Sequence, residues 1–236
     1  MNKLRCSAVV LAAGQGKRMN SKVQKQFLEL HGRPIVFYSL ECFQKSDMID
    51  EIILVTGQES IQYCRKEIVE RYGLDKVRAI VAGGSERYNS VYNGLLACND
   101  PDYVFIHDGA RPFIDQEMLK RGLEGAMKTG ACVIGMPSKD TVKIADACDM
   151  VKETPERSRV WIIQTPQIFD YSLVRNAHES LRNKDMTGIT DDAMVIEQET
   201  DVKVCLAAGS YMNIKITTPE DLKIAGIFCV DRYEKE

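Results

Sequence analysis

Apolar and polar segments alternate along residues 1–136, and this alternation predicts strands separated by helices. The apolar runs are short and bounded by polar or glycine-containing segments, which is typical of strands buried on both faces of a sheet. They cover residues 8–13, 52–55, 77–81, 104–106 and 131–136. Amphipathic segments with helical spacing lie between them, at residues 34–43, 60–72, 85–95 and 116–127. We therefore predict an α/β fold with a doubly wound, mostly parallel sheet.

The pattern changes after residue 136, where two extended pieces replace the strand–helix order. Residues 140–145 and 151–161 flank a polar turn, and a two-stranded hairpin alone is marginally stable in water. We therefore expect a protruding β-hairpin arm, residues 137–164, that packs on a second copy of the chain. A hairpin folded back on its own domain is the alternative. Residues 1–236 are otherwise expected to form a single domain.

The segment beyond the arm predicts a second group of elements. The final helix is expected to begin after Thr218 as N-cap, with Pro219 at its first position. Asp191 and Asp192 lie in the first turn of another predicted helix, where carboxylates complement the helix dipole. The remaining predictions are a tight polar turn at residues 164–167 and strands at 203–206 and 213–216.

The first strand stops at a glycine loop, in which Gly14 and Gly16 are followed by Lys17 and Arg18. Glycine lets the backbone turn tightly and approach a ligand, and clustered backbone N–H groups favour an anion such as phosphate. A Walker loop would need Ser or Thr where Arg18 stands, and a dinucleotide-binding loop would need glycine in place of Met19. An ordinary glycine turn with surface cations is the alternative.

Three polar, glycine-containing loops are expected to meet in one cleft. They cover residues 14–18, 83–90 and 108–111, and each follows the carboxyl end of a predicted strand. Ligands of open α/β sheets bind outside the carboxyl ends of the strands. The three loops together therefore indicate a binding site for a phosphate-bearing ligand.

Composition and charge narrow the class of protein. A length of 236 residues allows a full core, and a net charge of −3 without a run of Lys and Arg argues against nucleic acid or an anionic membrane as a partner. We see no signal peptide and no apolar run long enough to span a bilayer. The 8 cysteines form no Cys-x-x-Cys pair, so we expect reduced thiols in the cytoplasm rather than zinc or disulfides.

The loops together resemble those of the sugar-phosphate and polyol-phosphate cytidylyltransferases. From Ala8 to Leu222 the chain is most similar to the 2-C-methyl-D-erythritol 4-phosphate cytidylyltransferases of the non-mevalonate isoprenoid pathway. The resemblance implies a Rossmann-like nucleotidyltransferase fold and transfer of a cytidylyl group from CTP to the polyol phosphate. The matching segments are 12–19 with Lys25-Gln26, 83–94, 107–112, 140–143, Arg157 with Trp161, 164–167, Thr190-Asp191 and 213–221.

The same resemblance implies roles on the CTP side of the site. The catalytic residues would be Arg18 at the β- and γ-phosphates and Lys25 and Lys215 at the α-phosphate. Mg²⁺ or another divalent cation would bridge the phosphates, held by Asp108 directly or through water. A strand-end carboxylate that caps a turn is the alternative role for Asp108. The nucleotide-binding residues would be Ala12, Ala13, Gly14, Gly16, Gly83, Gly84, Ser90, Asp108 and Gly109.

The acceptor side is also implied by the resemblance, with a homodimer in which part of the site comes from the partner subunit's arm. The acceptor-binding residues would be Arg111, Thr141, Arg157, Thr165 and Thr190. Two alternatives stay open. Met212 stands where the family often has a carboxylate, which leaves room for a ribitol 5-phosphate cytidylyltransferase. A nucleotide-sensing, non-catalytic homologue is disfavoured because Arg18, Lys25 and Lys215 are all retained.

Overall fold

A seven-stranded sheet forms the centre of the protein in a computed structural model that describes residues 3–14, 23–182, 184 and 188–233. Its order is β11-β7-β10-β6-β1-β4-β5, in which β10 runs antiparallel to both neighbours and every other pair is parallel. The strands are β1 (Cys6–Ala12), β2 (Glu29–Leu30), β3 (Arg33–Pro34), β4 (Glu51–Thr56), β5 (Val77–Ala82), β6 (Tyr103–Asp108), β7 (Ala131–Pro137), β8 (Ile144–Ala145), β9 (Val151–Glu153), β10 (Trp161–Asp170) and β11 (Cys205–Ala208). The predicted doubly wound, mostly parallel sheet is confirmed.

Helices cover both faces of the sheet because successive side chains of each strand point to opposite sides. Ala8 and Val10 belong to a core with the helices at Ile35–Gln44 and Gln116–Thr129, whereas Val9 packs on the other face with those at Arg87–Ala97 and Tyr171–Leu181. No helix among the described residues combines the length and apolar character needed to cross a membrane. The helices are α1 (Ile35–Gln44), α2 (Ile61–Tyr63, continued as a π-helix at Cys64–Glu70), α3 (Arg87–Ala97), α4 (Gln116–Thr129), α5 (Tyr171–Leu181), α6 (Asp192–Glu199) and α7 (Pro219–Tyr233).

Residues 164–167 form part of the long strand β10, so the predicted turn there is wrong. The pairing of β10 with β7 shifts register between Ile163 and Gln167, where the Thr165–Pro166 peptide bond is cis. Proline cannot donate to a ladder, and a local irregularity lets a strand continue past it. The polar proline-containing segment therefore has the composition of a turn although the strand passes through it.

Residues 213–216 do not form a strand, although their apolar and polar side chains alternate. Ile216 is fully buried and its backbone N–H donates to the carbonyl of Ala110. Asn213 is also buried, and its side-chain amide donates to the carbonyl of Thr165. The alternation reflects a segment that lies across the strand ends, with Lys215 directed into the cleft.

The arm extends from the sheet between β7 and β10. Its strands β8 and β9 pair with each other, and Ile144, Met150 and Val151 on it are exposed apolar side chains. Trp161 already pairs with Pro137 in the main sheet, so the projecting part is residues 138–160. The two ends of the arm are adjacent, since Ser138 N–H donates to the carbonyl of Val160.

Candidate active site

A cavity of about 610 Å³ lies at the carboxyl ends of β1 and β6 and the loop after β5. We call it the nucleotide cleft. It is lined by residues of all three predicted loops, together with Lys25 and Lys215. Gly16 and Arg18 lie outside the described residues, so their predicted roles stay predictions. The predicted convergence of the loops is confirmed for described residues of each loop, among them Gly14, Gly84, Ser90 and Asp108, and Ala13 lies beside them in the lining.

Gly83 lies where two chain segments approach each other closely. A Cβ atom at this position would lie 2.5 Å from the Cβ of Ala13 and 2.8 Å from the Oγ of Ser90. The Ser90 hydroxyl accepts a hydrogen bond from Gly84 N–H at 3.0 Å and donates to the carbonyl of Glu86 at 3.2 Å. Only glycine fits this contact, so the backbone at residues 83–84 packs directly against Ala13 and Ser90 at one wall of the cleft.

The helix α3 begins one residue later than we expected. The helical pattern over residues 85–95 would make Ser85 the N-cap and Glu86 the first helical residue, but Glu86 is the N-cap and forms a capping box with Asn89. The Glu86 carboxylate accepts from the Asn89 N–H, and the Asn89 side chain accepts from Glu86 N–H at 3.3 Å. Arg87 is therefore the first helical residue.

Ala12 and Gly109 were predicted to bind the nucleotide, but, like Gly83, neither lines the nucleotide cleft. The Ala12 carbonyl accepts from the buried Gln26 side chain, which connects the end of β1 to the segment that carries Lys25. Gly109 N–H donates to the carbonyl of Leu11 at 2.8 Å, and a Cβ at Gly109 would lie 3.0 Å from that carbonyl oxygen. Both residues support the wall of the cleft from behind.

Asp108 is the centre of a network of charges. Its Oδ2 lies 2.6 Å from Lys215 Nζ, and its Oδ1 lies 3.4 Å from Arg87 Nε. Burial alone would raise the pKa of Asp108, but Arg87 and Lys215 outweigh it and hold this pKa far below its usual range. Asp108 is therefore a carboxylate at any physiological pH, and both of its oxygens face cations.

His107 precedes Asp108 and is fully buried. Its Nε2 lies 3.1 Å from the carbonyl of Arg111, and its Nδ1 lies 2.9 Å from the Thr165 hydroxyl. Burial lowers the pKa of His107 from 6.5 to about 4, so the ring is neutral at pH 7. A neutral ring that donates through Nε2 accepts at Nδ1 from Thr165, whose oxygen in turn accepts from Asp108 N–H. His107 therefore fixes the end of β6 and is not placed to act on a substrate.

A second cavity, of about 190 Å³, adjoins the first, and we call it the acceptor pocket. It brings together three of the predicted acceptor residues, Arg111, Thr165 and Thr190. Arg111 donates from Nη1 to the carbonyl of Asn213 at 2.8 Å, while its buried Nε has no hydrogen-bond partner among the described residues. Burial lowers the pKa of Arg111. A buried guanidinium with an unused N–H at a cavity is suited to an anion.

Thr141 and Arg157 lie on the arm, exposed to solvent, and do not line either cavity. Within one chain they are therefore separate from the other predicted acceptor residues. Their predicted roles depend on a second subunit, which a single chain does not test.

Sequence reasoning missed three polar residues next to the site, Arg87, His178 and Asp192. Asp192 is 1% exposed, and its carboxylate contacts Arg87 Nη1 at 2.8 Å and His178 Nε2 at 3.4 Å. We had assigned Asp191 and Asp192 to the helix dipole alone. Asp191 does cap α6 by accepting from Met194 N–H, but Asp192 points inwards. The signal for Arg87 was its place in the first turn of a helix, where a cation opposes the dipole.

The cleft residues fit a magnesium ion that takes most of its ligands from a nucleotide. Among the described residues, no group of three or more His, Cys, Asp or Glu side chains is placed to hold a metal. Mg²⁺ in phosphoryl-transfer sites is usually held by one or two carboxylates together with the substrate's phosphates. Asp108 lines the cleft and would supply one such hard oxygen ligand.

Comparison with known proteins agrees with this geometry. A family model described as 2-C-methyl-D-erythritol 4-phosphate cytidylyltransferase matches residues 6–231. A protein of that name from Lachnospira eligens is 47% identical over 223 residues, which are 94% of this chain and 98% of the relative. A relative of the same name from Clostridium kluyveri is 44% identical over 96% of this chain and 97% of its own length.

Solved structures show the same fold. The 4-diphosphocytidyl-2C-methyl-D-erythritol synthase of Anaerococcus prevotii superimposes with a TM-score of 0.85 at 35% identity, covering 96% of each chain. The 2-C-methyl-D-erythritol 4-phosphate cytidylyltransferase of Thermus thermophilus gives a TM-score of 0.75 at 28% identity, covering 94% of this chain and 97% of the other. With a family model that spans almost the whole chain, these matches show that the chain belongs to the 2-C-methyl-D-erythritol 4-phosphate cytidylyltransferase family.

Proposed function

We propose that the protein transfers the cytidylyl group of CTP to 2-C-methyl-D-erythritol 4-phosphate, giving 4-diphosphocytidyl-2-C-methyl-D-erythritol and pyrophosphate. The observation that carries the proposal is the shared wall between the nucleotide cleft and the acceptor pocket. Asp108, Arg87 and Lys215 line both cavities. A phosphate in the acceptor pocket would therefore lie beside the phosphates of a nucleotide in the cleft. Family membership supports the same reaction.

The chemical step is an in-line displacement at the α-phosphorus of CTP. An oxygen of the acceptor phosphate forms the new bond, and the bond from the α-phosphorus to the β-phosphate oxygen breaks as pyrophosphate leaves. The attacking oxygen is already an anion at pH 7, so the reaction needs no general base. The site must instead supply orientation and positive charge around the phosphorus.

We assign that charge to Lys25 and Lys215, and this assignment is supported by the presence of both side chains in the lining of the nucleotide cleft. We assign both to the α-phosphate and Arg18 to the β- and γ-phosphates. Asp108 keeps the Lys215 ammonium directed into the cleft through their 2.6 Å contact. A magnesium ion at Asp108, when bound, would neutralise the phosphates and the leaving pyrophosphate.

The wall of the nucleotide cleft at Ala13, Gly84 and Ser90 is our candidate for cytosine selection. Gly83 packs directly against Ala13 and Ser90, so a larger side chain there would displace this wall. The Ser90 hydroxyl, which accepts from Gly84 N–H, and the backbone of the loop are the groups that we assign to the base. A pyrimidine ring needs less room than a purine, so a closely packed wall favours cytosine.

The proposed active unit is a homodimer in which the arm of each chain completes the partner's acceptor pocket. Two features support this: the arm exposes apolar side chains, and Thr141 and Arg157 on it lie outside both cavities of their own chain. An arginine suits a phosphate because its planar fork can bind two oxygens. A cytoplasmic location and the lack of nucleic-acid or membrane partners remain predictions from composition.

The function is tested by pyrophosphate release with CTP, Mg²⁺ and each candidate acceptor in turn. We expect 2-C-methyl-D-erythritol 4-phosphate to give the higher kcat/KM, and we expect ATP or GTP to give far less product than CTP. Removal of divalent cations with EDTA should stop the reaction, and added Mg²⁺ should restore it. A higher kcat/KM with ribitol 5-phosphate would reassign the acceptor, and no turnover with either acceptor would refute the proposal.

A further inference from the structure

Arg87 occupies the first position of α3, directly after the glycine-containing loop at residues 83–86. A cation there opposes the helix dipole, which favours anions at a helix N-terminus. Burial also disfavours the charged form, yet Asp192 and Asp108 raise the pKa of Arg87 above its usual range. Interactions with these two carboxylates therefore stabilise an arginine that the helix itself disfavours.

Two different nitrogens of one guanidinium make the two contacts. Nη1 lies 2.8 Å from Oδ2 of Asp192, and Nε lies 3.4 Å from Oδ1 of Asp108. The Asp192 side chain is 1% exposed, and its other oxygen lies 3.4 Å from His178 Nε2. Arg87 thus joins the start of α6 to the end of β6, which are 84 residues apart in the chain (192 − 108).

The two carboxylates belong to different sides of the site. Asp108 contacts Lys215 at 2.6 Å in the nucleotide cleft. Asp192 directly follows Thr190 and Asp191, which line the acceptor pocket. We call residues 190–192 the acceptor loop. Arg87 itself lines both cavities, so it is the side chain that connects them.

The start of α6 has a second restraint, from the buried Gln167. Its Oε1 accepts from the backbone N–H groups of Asp192 and Ala193, each at 3.0 Å, and its Nε2 donates to Asp191 at 2.9 Å. Gln167 is carried by β10, on the acceptor side of the sheet. It holds the loop in place on that side, whereas only Arg87 joins it to the nucleotide side by a charged contact among the described residues.

We propose that Arg87 is a positioning residue that aligns the acceptor loop with the reaction centre at Asp108 and Lys215. The inference deepens the proposed function and rests on it. Arg87 sets the distance between the bound acceptor and the α-phosphate without reacting itself. Lysine at this position would keep the charge that neutralises Asp192, but one ammonium cannot reproduce two divergent contacts of a planar fork.

We expect substitution of Arg87 to raise the KM for the acceptor more than the KM for CTP. Loss of a charge-assisted hydrogen bond usually changes an equilibrium by about tenfold or more. We therefore expect Arg87→Lys and Arg87→Gln to raise the KM for the acceptor by about tenfold relative to the KM for CTP. Arg87→Lys should unfold in urea close to the wild-type midpoint, because the buried Asp192 keeps a cation.

The experiment measures both KM values, kcat and the urea midpoint for wild type, Arg87→Lys and Arg87→Gln. Arg78→Gln is the matched control. Arg78 Nε pairs at 3.7 Å with a nearly buried carboxylate, Glu51, at the opposite edge of the sheet. This variant should lower stability without changing the ratio of the two KM values. Arg87→Lys decides the result if Arg87→Gln does not fold.

Equal shifts of both KM values, or wild-type kinetics in Arg87→Lys, would overturn the proposal. Hydrogen exchange of residues 188–199, measured without ligand, distinguishes failure of the proposed role of Arg87 from failure of the proposed function. If wild type turns over neither acceptor, the function is wrong. Faster exchange of that segment in Arg87→Lys but not in Arg78→Gln would still support the alignment of the acceptor loop by Arg87. Unchanged exchange would refute it.

Discussion

Replacing Lys215 by alanine tests whether charge at the α-phosphate acts in the transition state. Lys215 Nζ lies 2.6 Å from Asp108 Oδ2, and the side chains of the pair are 37% and 12% exposed. The substitution removes a cation from a carboxylate and, by our proposal, from the reacting phosphate. The first loss lowers the free energy of unfolding and the second lowers kcat, so the two can be measured separately.

The loss of stability follows from the position of the pair. Exposed ion pairs contribute up to about 1 kcal/mol, whereas removal of one partner of a buried pair costs roughly 3–5 kcal/mol. Lys215 is partly exposed, and Arg87 remains 3.4 Å from the other oxygen of Asp108. We therefore expect about 1–2 kcal/mol, between these limits. Against a typical unfolding free energy of about 5–15 kcal/mol, the variant stays folded at 25 °C.

The loss of activity is expected to be larger. Removing one preorganised donor at a developing charge typically costs about 3 kcal/mol, or roughly a hundredfold in kcat. Contacts that strengthen towards the transition state lower kcat, whereas uniform binding changes KM alone. The prediction is that Lys215→Ala lowers kcat about a hundredfold, with a smaller change in the KM for CTP.

The assay is steady-state pyrophosphate release at saturating CTP, acceptor and Mg²⁺, with urea unfolding of the same samples. Lys3→Ala serves as the control, since Lys3 pairs with Asp50 at 3.1 Å near the start of β1, away from the cleft. Its kcat should equal that of wild type. An unchanged kcat in Lys215→Ala, with only the KM for CTP raised, would assign Lys215 to ground-state binding and refute our account.

Three further predictions follow from other parts of the site. Gly83→Ala would place a Cβ 2.5 Å from that of Ala13, so the KM for CTP should rise about tenfold, whereas Gly226→Ala, with open space, should not alter it. Mixing Arg157→Ala with Lys25→Ala, each inactive alone, should restore about a quarter of wild-type activity if subunits exchange and share sites, and none if each chain completes its own. Folding lowers the pKa of His107 from 6.5 to about 4, so the unfolded state binds more protons between these two pH values. The free energy of unfolding should therefore fall by about 2 kcal/mol between pH 6.5 and pH 4.5, as measured by urea titration. A His107→Gln variant should lose this slope, and retention of the slope would rule out His107 as its source.

The parallel half of the fold could be predicted because buried strands produce continuous apolar runs. Val9 and Val10 face different layers, and both faces are covered, so the run at β1 has no polar break. The place of the cleft followed from the same pattern, since parallel strands present their carboxyl ends at one edge. The local sequence was sufficient to predict an element wherever the burial of that segment alone determined its structure.

Other features depended on contacts between distant segments. The strand β10 contains polar residues that are buried by partners on other elements, such as Gln167 with the start of α6. The contacts of Arg87 with Asp108 and Asp192 join three separate stretches of chain. The hydrophobic periodicity of a single segment does not predict contacts between side chains of distant segments. Only the unfavourable position of Arg87 in its helix gave a local hint.

The arm leaves β7 and returns to β10 at neighbouring positions, Pro137 and Trp161, which are paired in the sheet. An insertion whose ends are already held together changes the closure entropy of the chain only slowly with its length. The arm can therefore lengthen, shorten or change its surface during evolution while the central sheet keeps its geometry. A family built in this way can change the length and surface of its arm while the cleft at the edge of the sheet stays constant.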